Sequence, residues 1–198
     1  MPKLKRHFGA YLLLALLLIN VVIWYAVFVE ERGGKLTVAF LDVGQGDAIF
    51  IEAPNGNQML IDGGPNKAVL RELSKVMPFY DRSIDVLMVS NPDADHIAGF
   101  VDVLQRFDVG RVIEPGTIST TGVYEALESE IEKEGAERII AQRGMSIVLD
   151  EGVVLTILFP DRNVSGLTTN DGSIVARLTY GLTSVMFIFI LTLSFVSA

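Results

Sequence analysis

The sequence predicts an α/β fold of the layered α+β kind, preceded by one separate apolar helix. Three observations carry this. Short apolar runs broken by Gly and Asn turns fill residues 36–62. Beyond them, amphipathic helical stretches alternate with short strand-like runs, the pattern of strand–helix–strand units packed in layers. An uninterrupted apolar block over residues 8–29 stands apart from both.

That block reads FGAYLLLALLLINVVIWYAVFV and carries no charge. It exceeds the roughly 20 residues a helix needs to cross a bilayer. Lys3, Lys5 and Arg6 precede it, Glu30 and Glu31 follow it, and Trp24 and Tyr25 lie near its outer end. The charge bias and interfacial aromatics predict a single-pass helix in the plasma membrane, with residues 1–7 as a basic cytoplasmic N-terminus and the rest outside. A cleaved signal would have an apolar core of about 7–15 residues and a small-residue cleavage site. WYAVFVEE does not supply one. Residues 30–35 then read as a linker, 36–186 as the folded domain, and 187–198 as an apolar tail.

Within the domain, strands are expected near 36–42, 47–53 and 58–62. Pro54-Asn55-Gly56-Asn57 is a hairpin turn signal between the second and third. Val69, Leu70, Leu73 and Val76 make one face of a helix over about 66–77. DVLMVS, residues 85–90, is a buried strand. Phe100, Val101, Leu104 and Phe107 align on a helix expected from Ile97 to Phe107. GRVIEP is a short strand, and Thr120–Lys133 a highly charged helix. ERIIAQ, SIVLD, VVLTILFP and SIVARLTYG complete a set of β segments.

Composition narrows the chemistry. The chain has 198 residues, no cysteine and two histidines, one of them beside the apolar block. Disulfides and thiolate sites are therefore excluded, and so is a three-histidine metal site from this chain. Setting aside Lys3, Lys5 and Arg6 leaves 13 basic against 24 acidic residues, a net of about −11. That balance argues against tight nonspecific nucleic-acid binding, which rests on a basic footprint.

Four motifs carry potential chemistry. In LDVGQGDA, Gly44 and Gly46 flank Gln45 and allow a tight bend, letting Asp42 and Asp47 aim oxygens into a cleft. A solvated polar turn is the ordinary alternative. In LIDGG, Asp62 closes a strand and two glycines open a loop. In SNPDADHIAGF, Asp93, Asp95 and His96 form an oxygen-rich cluster with one imidazole. Such a set suits a divalent ion such as Mn²⁺, Mg²⁺ or Zn²⁺, and an aspartate capping the following helix is the rival reading. In TTNDGSIVARL, Asn170, Asp171 and Ser173 lead into a strand.

Taken in order, these motifs resemble the metallo-β-lactamase fold, and more closely the hydrolase-like domain of the ComEC/Rec2 DNA-uptake family. The resemblance runs from about Lys35 to Met186, through FLDVGQGDA, LIDGG, SNPDADHIAGF and NDGSIVARL. It implies an αββα sandwich with one or two metals, Zn or Mn, at the strand ends. It implies phosphodiester hydrolysis by metal-bound hydroxide, linked to DNA uptake. Asp93, Asp95 and His96 take the ligand positions, with Asn91 as a weak ligand where the general motif has histidine. Asp62 and Asp47 take supporting catalytic positions, and Asn170 stands near a third-motif histidine.

The family pattern continues, after the strand corresponding to SVMF, into a Gly-Asp and a later histidine. Here SVMF runs on as IFILTLSFVSA. The expectation is an incomplete second half of the sandwich, from C-terminal truncation or a frameshift, with a second chain needed to complete the fold. Three functions follow: a membrane-anchored phosphodiesterase weakened in this chain, a non-catalytic binding module or gene remnant, or an esterase acting on cell-envelope choline phosphate. DNA, an envelope phosphodiester and the membrane are the expected partners.

Overall fold

The computed structural model describes residues 3–30 and 35–189. Most of the expected linker and the apolar tail from residue 190 onward lie outside the described residues. The chain divides into two units, Met1–Lys35 and Leu36–Ala198.

Among the described residues, the first unit contains one helix, α1 (Lys3–Glu30). Its stretch Phe8–Tyr25 has a mean hydropathy of 2.2 and none of it is buried. By length and composition it is able to cross a membrane.

Among the described residues, the second unit holds two sheets and three helices. Its elements run β1 (Thr37–Phe40), β2 (Ile49–Glu52), β3 (Gln58–Ile61), α2 (Ala68–Val76), β4 (Ser83–Met88), α3 (Ala94–Leu104), β5 (Asp108–Glu114), α4 (Gly122–Glu134), β6 (Glu137–Ile140), β7 (Ser146–Asp150), β8 (Val153–Phe159), β9 (Val175–Tyr180) and β10 (Thr183–Ile188). One six-stranded sheet is ordered β1-β2-β3-β4-β5-β6, the other β10-β9-β8-β7. β2 is antiparallel to both neighbours, while β3 to β6 pair in parallel. All strands of the first sheet except β2 therefore point the same way. Their C-terminal ends, and the β1–β2 loop, share one edge.

The layering follows from alternation along the strands. Phe50 and Leu60 pack with Val69 and Leu73 of α2, Ile97 and Phe100 of α3, and Leu127 and Ile131 of α4. Their neighbours Ile49, Ile51, Met59 and Ile61 turn to the other face and meet Leu155, Ile157, Ala176 and Leu178 of the second sheet. Central parallel strands covered on both faces read as continuous apolar runs, which is why DVLMVS carries so little polarity.

Sequence expectations and structure differ in detail at α3. The helix begins at Ala94, not Ile97, because the Asp93 carbonyl already accepts the N–H groups of His96 (2.9 Å) and Ile97 (3.1 Å). It stops at Leu104 rather than Phe107, whose N–H closes on the Val103 carbonyl at 2.9 Å before β5 starts at Asp108.

Candidate metal centre

The site forms where four loops meet at the C-terminal edge of the first sheet. Parallel register aligns Ile61 with Met88, so Asp62 and Ser90 emerge side by side from β3 and β4. The Asp62 N–H continues the ladder to the Met88 carbonyl at 2.9 Å. Beyond that bond the chain turns sharply, and Asp62 adopts φ 57° in the left-handed region. This is uncommon for a residue with a side chain. The conformation is held by Gly63 N–H donating to the His96 carbonyl (2.6 Å) and Gly64 N–H to the Asp47 carbonyl (3.0 Å).

Asp62 is fully buried, and both oxygens of its carboxylate have partners. Oδ1 accepts the Ser90 N–H at 2.8 Å. Oδ2 accepts the Ser90 hydroxyl at 2.5 Å and lies 2.8 Å from His96 Nδ1. Burial pushes the Asp62 carboxyl up, while His96 and Ser90 pull it back. Burial alone would lower the His96 imidazole. The hydrogen bond and charge of Asp62, with the charges of Asp95 and Asp47, override it and lift the ring to about 8. With Nδ1 held by Asp62, Nε2 is the ring atom left for a ligand.

Asp47 joins this pair. Ligand atoms of Asp47, Asp62 and His96 all lie within 4.8 Å of one another, the group of three found among the described residues. Gly46, at φ 74°, makes the approach possible. A Cβ there would fall 1.9 Å from the Asp95 carbonyl oxygen, so only glycine lets the DVGQGDA loop lie against the start of α3. Gly44 also has positive φ, and Asp42 and Gln45 are exposed at the loop's outer side.

The other expected residues are placed differently. Asp93 occupies the N-cap of α3, but its side chain makes no capping bond there. Asp95 lies exposed in the first turn. Neither belongs to the close group of three. Asn91 is fully buried, with its side-chain oxygen accepting the Asp93 N–H (3.0 Å) and its amide donating to Asn170 Oδ1 (2.8 Å). Ser173 is buried and turned inward, its hydroxyl donating to the Thr169 carbonyl at 3.1 Å.

Sequence reasoning missed Ser90, which supplies two of the donors to Asp62. A signal existed: a hydroxyl residue closing one parallel strand beside an aspartate closing the next.

The donor set fits a divalent ion. An imidazole nitrogen oriented by a buried carboxylate, a half-buried Asp47 and the nearby Asp95 offer one nitrogen and several oxygens, a mix suited to Mn²⁺ or Zn²⁺.

A model of the metallo-beta-lactamase superfamily matches residues 41–188. A ribonuclease Z of Aeropyrum pernix is 31% identical over 110 residues, covering 53% of this chain and 34% of that protein. Among solved structures, a metallo-beta-lactamase of Cronobacter sakazakii with a HARLDQ motif aligns with TM-score 0.54 at 16% identity, over 79% of this chain and 61% of its own. The metallo-beta-lactamase fold protein YhfI of Bacillus subtilis aligns with TM-score 0.52 at 18% identity, over 77% and 61%. These structures share the fold. The chain spans about a third of the length of the ribonuclease Z relative and about three-fifths of the aligned structures.

Proposed function

The chain belongs to the metallo-beta-lactamase superfamily, and from that membership we propose a metal-dependent hydrolase site that cleaves a phosphodiester, of the ComEC-like kind, on a membrane-anchored domain. The observation that carries the reading is the Asp62–His96 pair closed by Asp47 at the ends of β3 and β4. The ribonuclease Z similarity supports a phosphodiester over other hydrolysable bonds. The order of FLDVGQGDA, LIDGG and SNPDADH supports the ComEC-like branch.

A divalent ion held by His96 and Asp47, with Asp95 at the rim, would lower the pKa of water toward about 7 and so supply a nucleophile. The protein's own work is positional. Asp62 fixes the His96 ring through Nδ1 and is itself fixed by Ser90, so the ring does not rotate when a ligand arrives. Asp62 acts as a positioning residue in this reading, its carboxylate already held by Ser90 and His96. Asp93 and Asp95, in and before the first turn of α3, bring negative charge beside a helix N-terminus, which stabilises both.

α1 supplies the anchor in this reading, with the basic residues 3–6 on the cytoplasmic side and the domain outside. DNA or an envelope phosphodiester is then the substrate. The net charge of the outer part favours a small envelope ester over a polyanion held by charge alone.

A second reading, a non-catalytic binding module, is favoured by the Asn91–Asn170 bond, which occupies groups a fuller metal site would use. The experiment that separates them is hydrolysis of bis(p-nitrophenyl) phosphate, a single-stranded oligonucleotide and p-nitrophenylphosphorylcholine by the full chain in detergent with Mn²⁺ or Zn²⁺. Metal-dependent turnover of any of the three, lost in His96→Ala, supports the hydrolase. Equal rates in wild type and His96→Ala sink it.

A further inference from the structure

The loop after β4 and the loop before β9 belong to different sheets, yet two hydrogen bonds tie them. Ile174 N–H donates to the Ser90 carbonyl at 2.9 Å, and the Asn91 amide donates to Asn170 Oδ1 at 2.8 Å. The orientation of the Asn91 amide is fixed by its other partner. The Asp93 N–H, 3.0 Å away, can only be met by an oxygen, so Nδ2 must face Asn170. Both polar atoms of Asn91 therefore have a partner, and the residue is fully buried. The receiving loop is also self-supported. Thr168 Oγ1 bonds Asp171 in both directions, at 2.7 and 3.1 Å, and Gly172 N–H donates to the Thr168 carbonyl. A Cβ on Gly172 would fall 2.1 Å from the Thr117 methyl, so this loop is seated against the β5–α4 connection as well.

We infer that Asn91 and Asn170 form a metal-independent strut between the two sheets, and that the cleft takes a single divalent ion on His96 and Asp47 without help from Asn91. The inference about the ion rests on the hydrolase reading above, whereas the strut does not. Turning the Asn91 amide toward an ion would give up both of these hydrogen bonds, the one from the Asp93 N–H and the one to Asn170. Among the described residues a single group of three Asp and His side chains, Asp47, Asp62 and His96, brings its ligand atoms together. The strut holds the two loops in register whether or not an ion is present. It also sets the backbone at Asp93, and through it the first turn of α3 that carries His96.

The test uses the full chain in detergent micelles, as wild type, Asn91→Ala, Asn170→Ala and His96→Ala. Mn²⁺ and Zn²⁺ uptake is measured by equilibrium dialysis, and thermal unfolding is followed in chelator and in saturating metal. One ion per chain is expected, with the Kd of Asn170→Ala and Asn91→Ala within about threefold of wild type and that of His96→Ala raised more than about tenfold. Both asparagine variants should unfold several degrees lower than wild type by a similar amount with and without metal. A second ion, or a tenfold loss of affinity in Asn91→Ala with unchanged unfolding in chelator, overturns the inference. If Asn91→Ala does not fold, Asn170→Ala removes the same bond from the more exposed side and decides the matter. If wild type takes up no ion, the hydrolase reading and the single-ion claim both fall. The unfolding data in chelator still decide the strut.

Discussion

Gly99 of α3 lies so close to Gly63 that a Cβ on Gly99 would fall 2.0 Å from the Gly63 carbonyl oxygen. The Gly99 N–H also donates to the Gly64 carbonyl at 3.0 Å. The helix bearing His96 is thereby pressed directly onto the loop bearing Asp62, backbone to backbone. Gly99→Ala should cost about 3 kcal/mol, because neither the helix nor the strand-end loop can yield without moving core residues such as Phe100. Urea unfolding of the full chain in detergent measures it. A loss below about 0.5 kcal/mol would mean the two elements slide freely, and the preorganised site would go with that result.

Asp62→Ala should be more damaging than its size suggests. It strands two Ser90 donors and His96 Nδ1 in a space closed to water. Unsatisfied buried groups cost about 1–3 kcal/mol each, so a loss of about 3 kcal/mol or more is expected. Asp62→Asn retains an acceptor for Ser90 but removes the charge that opposes burial at His96. The imidazole pKa should then fall from about 8 toward or below its ordinary 6.5. NMR titration of the His96 ring protons reads this, with His7 as the second signal. An unchanged His96 titration would show that Asp62 does not govern the ring.

Much of the fold was legible in the sequence because its signals are local. The Pro54–Asn57 turn became the β2–β3 hairpin, since turn chemistry and flanking apolar runs agree. Asp62 and His96 were both named, but their bond spans 34 residues and depends on parallel register, which no local pattern encodes. Asn91 was read through its motif as a weak ligand. Its partner Asn170 lies 79 residues away in the loop before β9, a pairing that no local pattern shows. Asp93 was read as either ligand or cap. It stands at the N-cap of α3, where its side chain makes no capping bond.

Glu114 offers a test away from the cleft. It is buried at the end of β5, and Arg138 meets it through Nε (2.9 Å) and Nη2 (2.6 Å) while reaching Glu128 with Nη1 and Nη2. Burial pushes the Glu114 carboxyl up and Arg138 draws it back. Arg138→Met should cost about 2 kcal/mol, discounted because the arginine itself is 42% exposed. Adding Glu114→Gln should return part of that loss, since the uncompensated charge is then gone. A double variant as unstable as the two single losses combined would show that the pair is not coupled.

The pH dependence of stability follows from the same buried pair. The His96 pKa is raised from 6.5 to about 8, so the folded chain holds this proton more tightly than the unfolded one. The associated stabilisation is fully present below pH 6.5 and is lost as pH rises through about 8. A shift of this size corresponds to about 2 kcal/mol. Asp62 also shifts upward, through burial, so it does not reverse the sign. In chelator, the urea midpoint of the full chain should therefore fall between pH 6 and pH 9, and His96→Gln should be nearly flat over that window. A metal bound at Nε2 competes with the proton, so saturating Mn²⁺ or Zn²⁺ should flatten the wild-type curve at its alkaline end. A midpoint that rises with pH in chelator would mean that His96 is held neutral in the fold, and the charged Asp62–His96 pair would have to be abandoned.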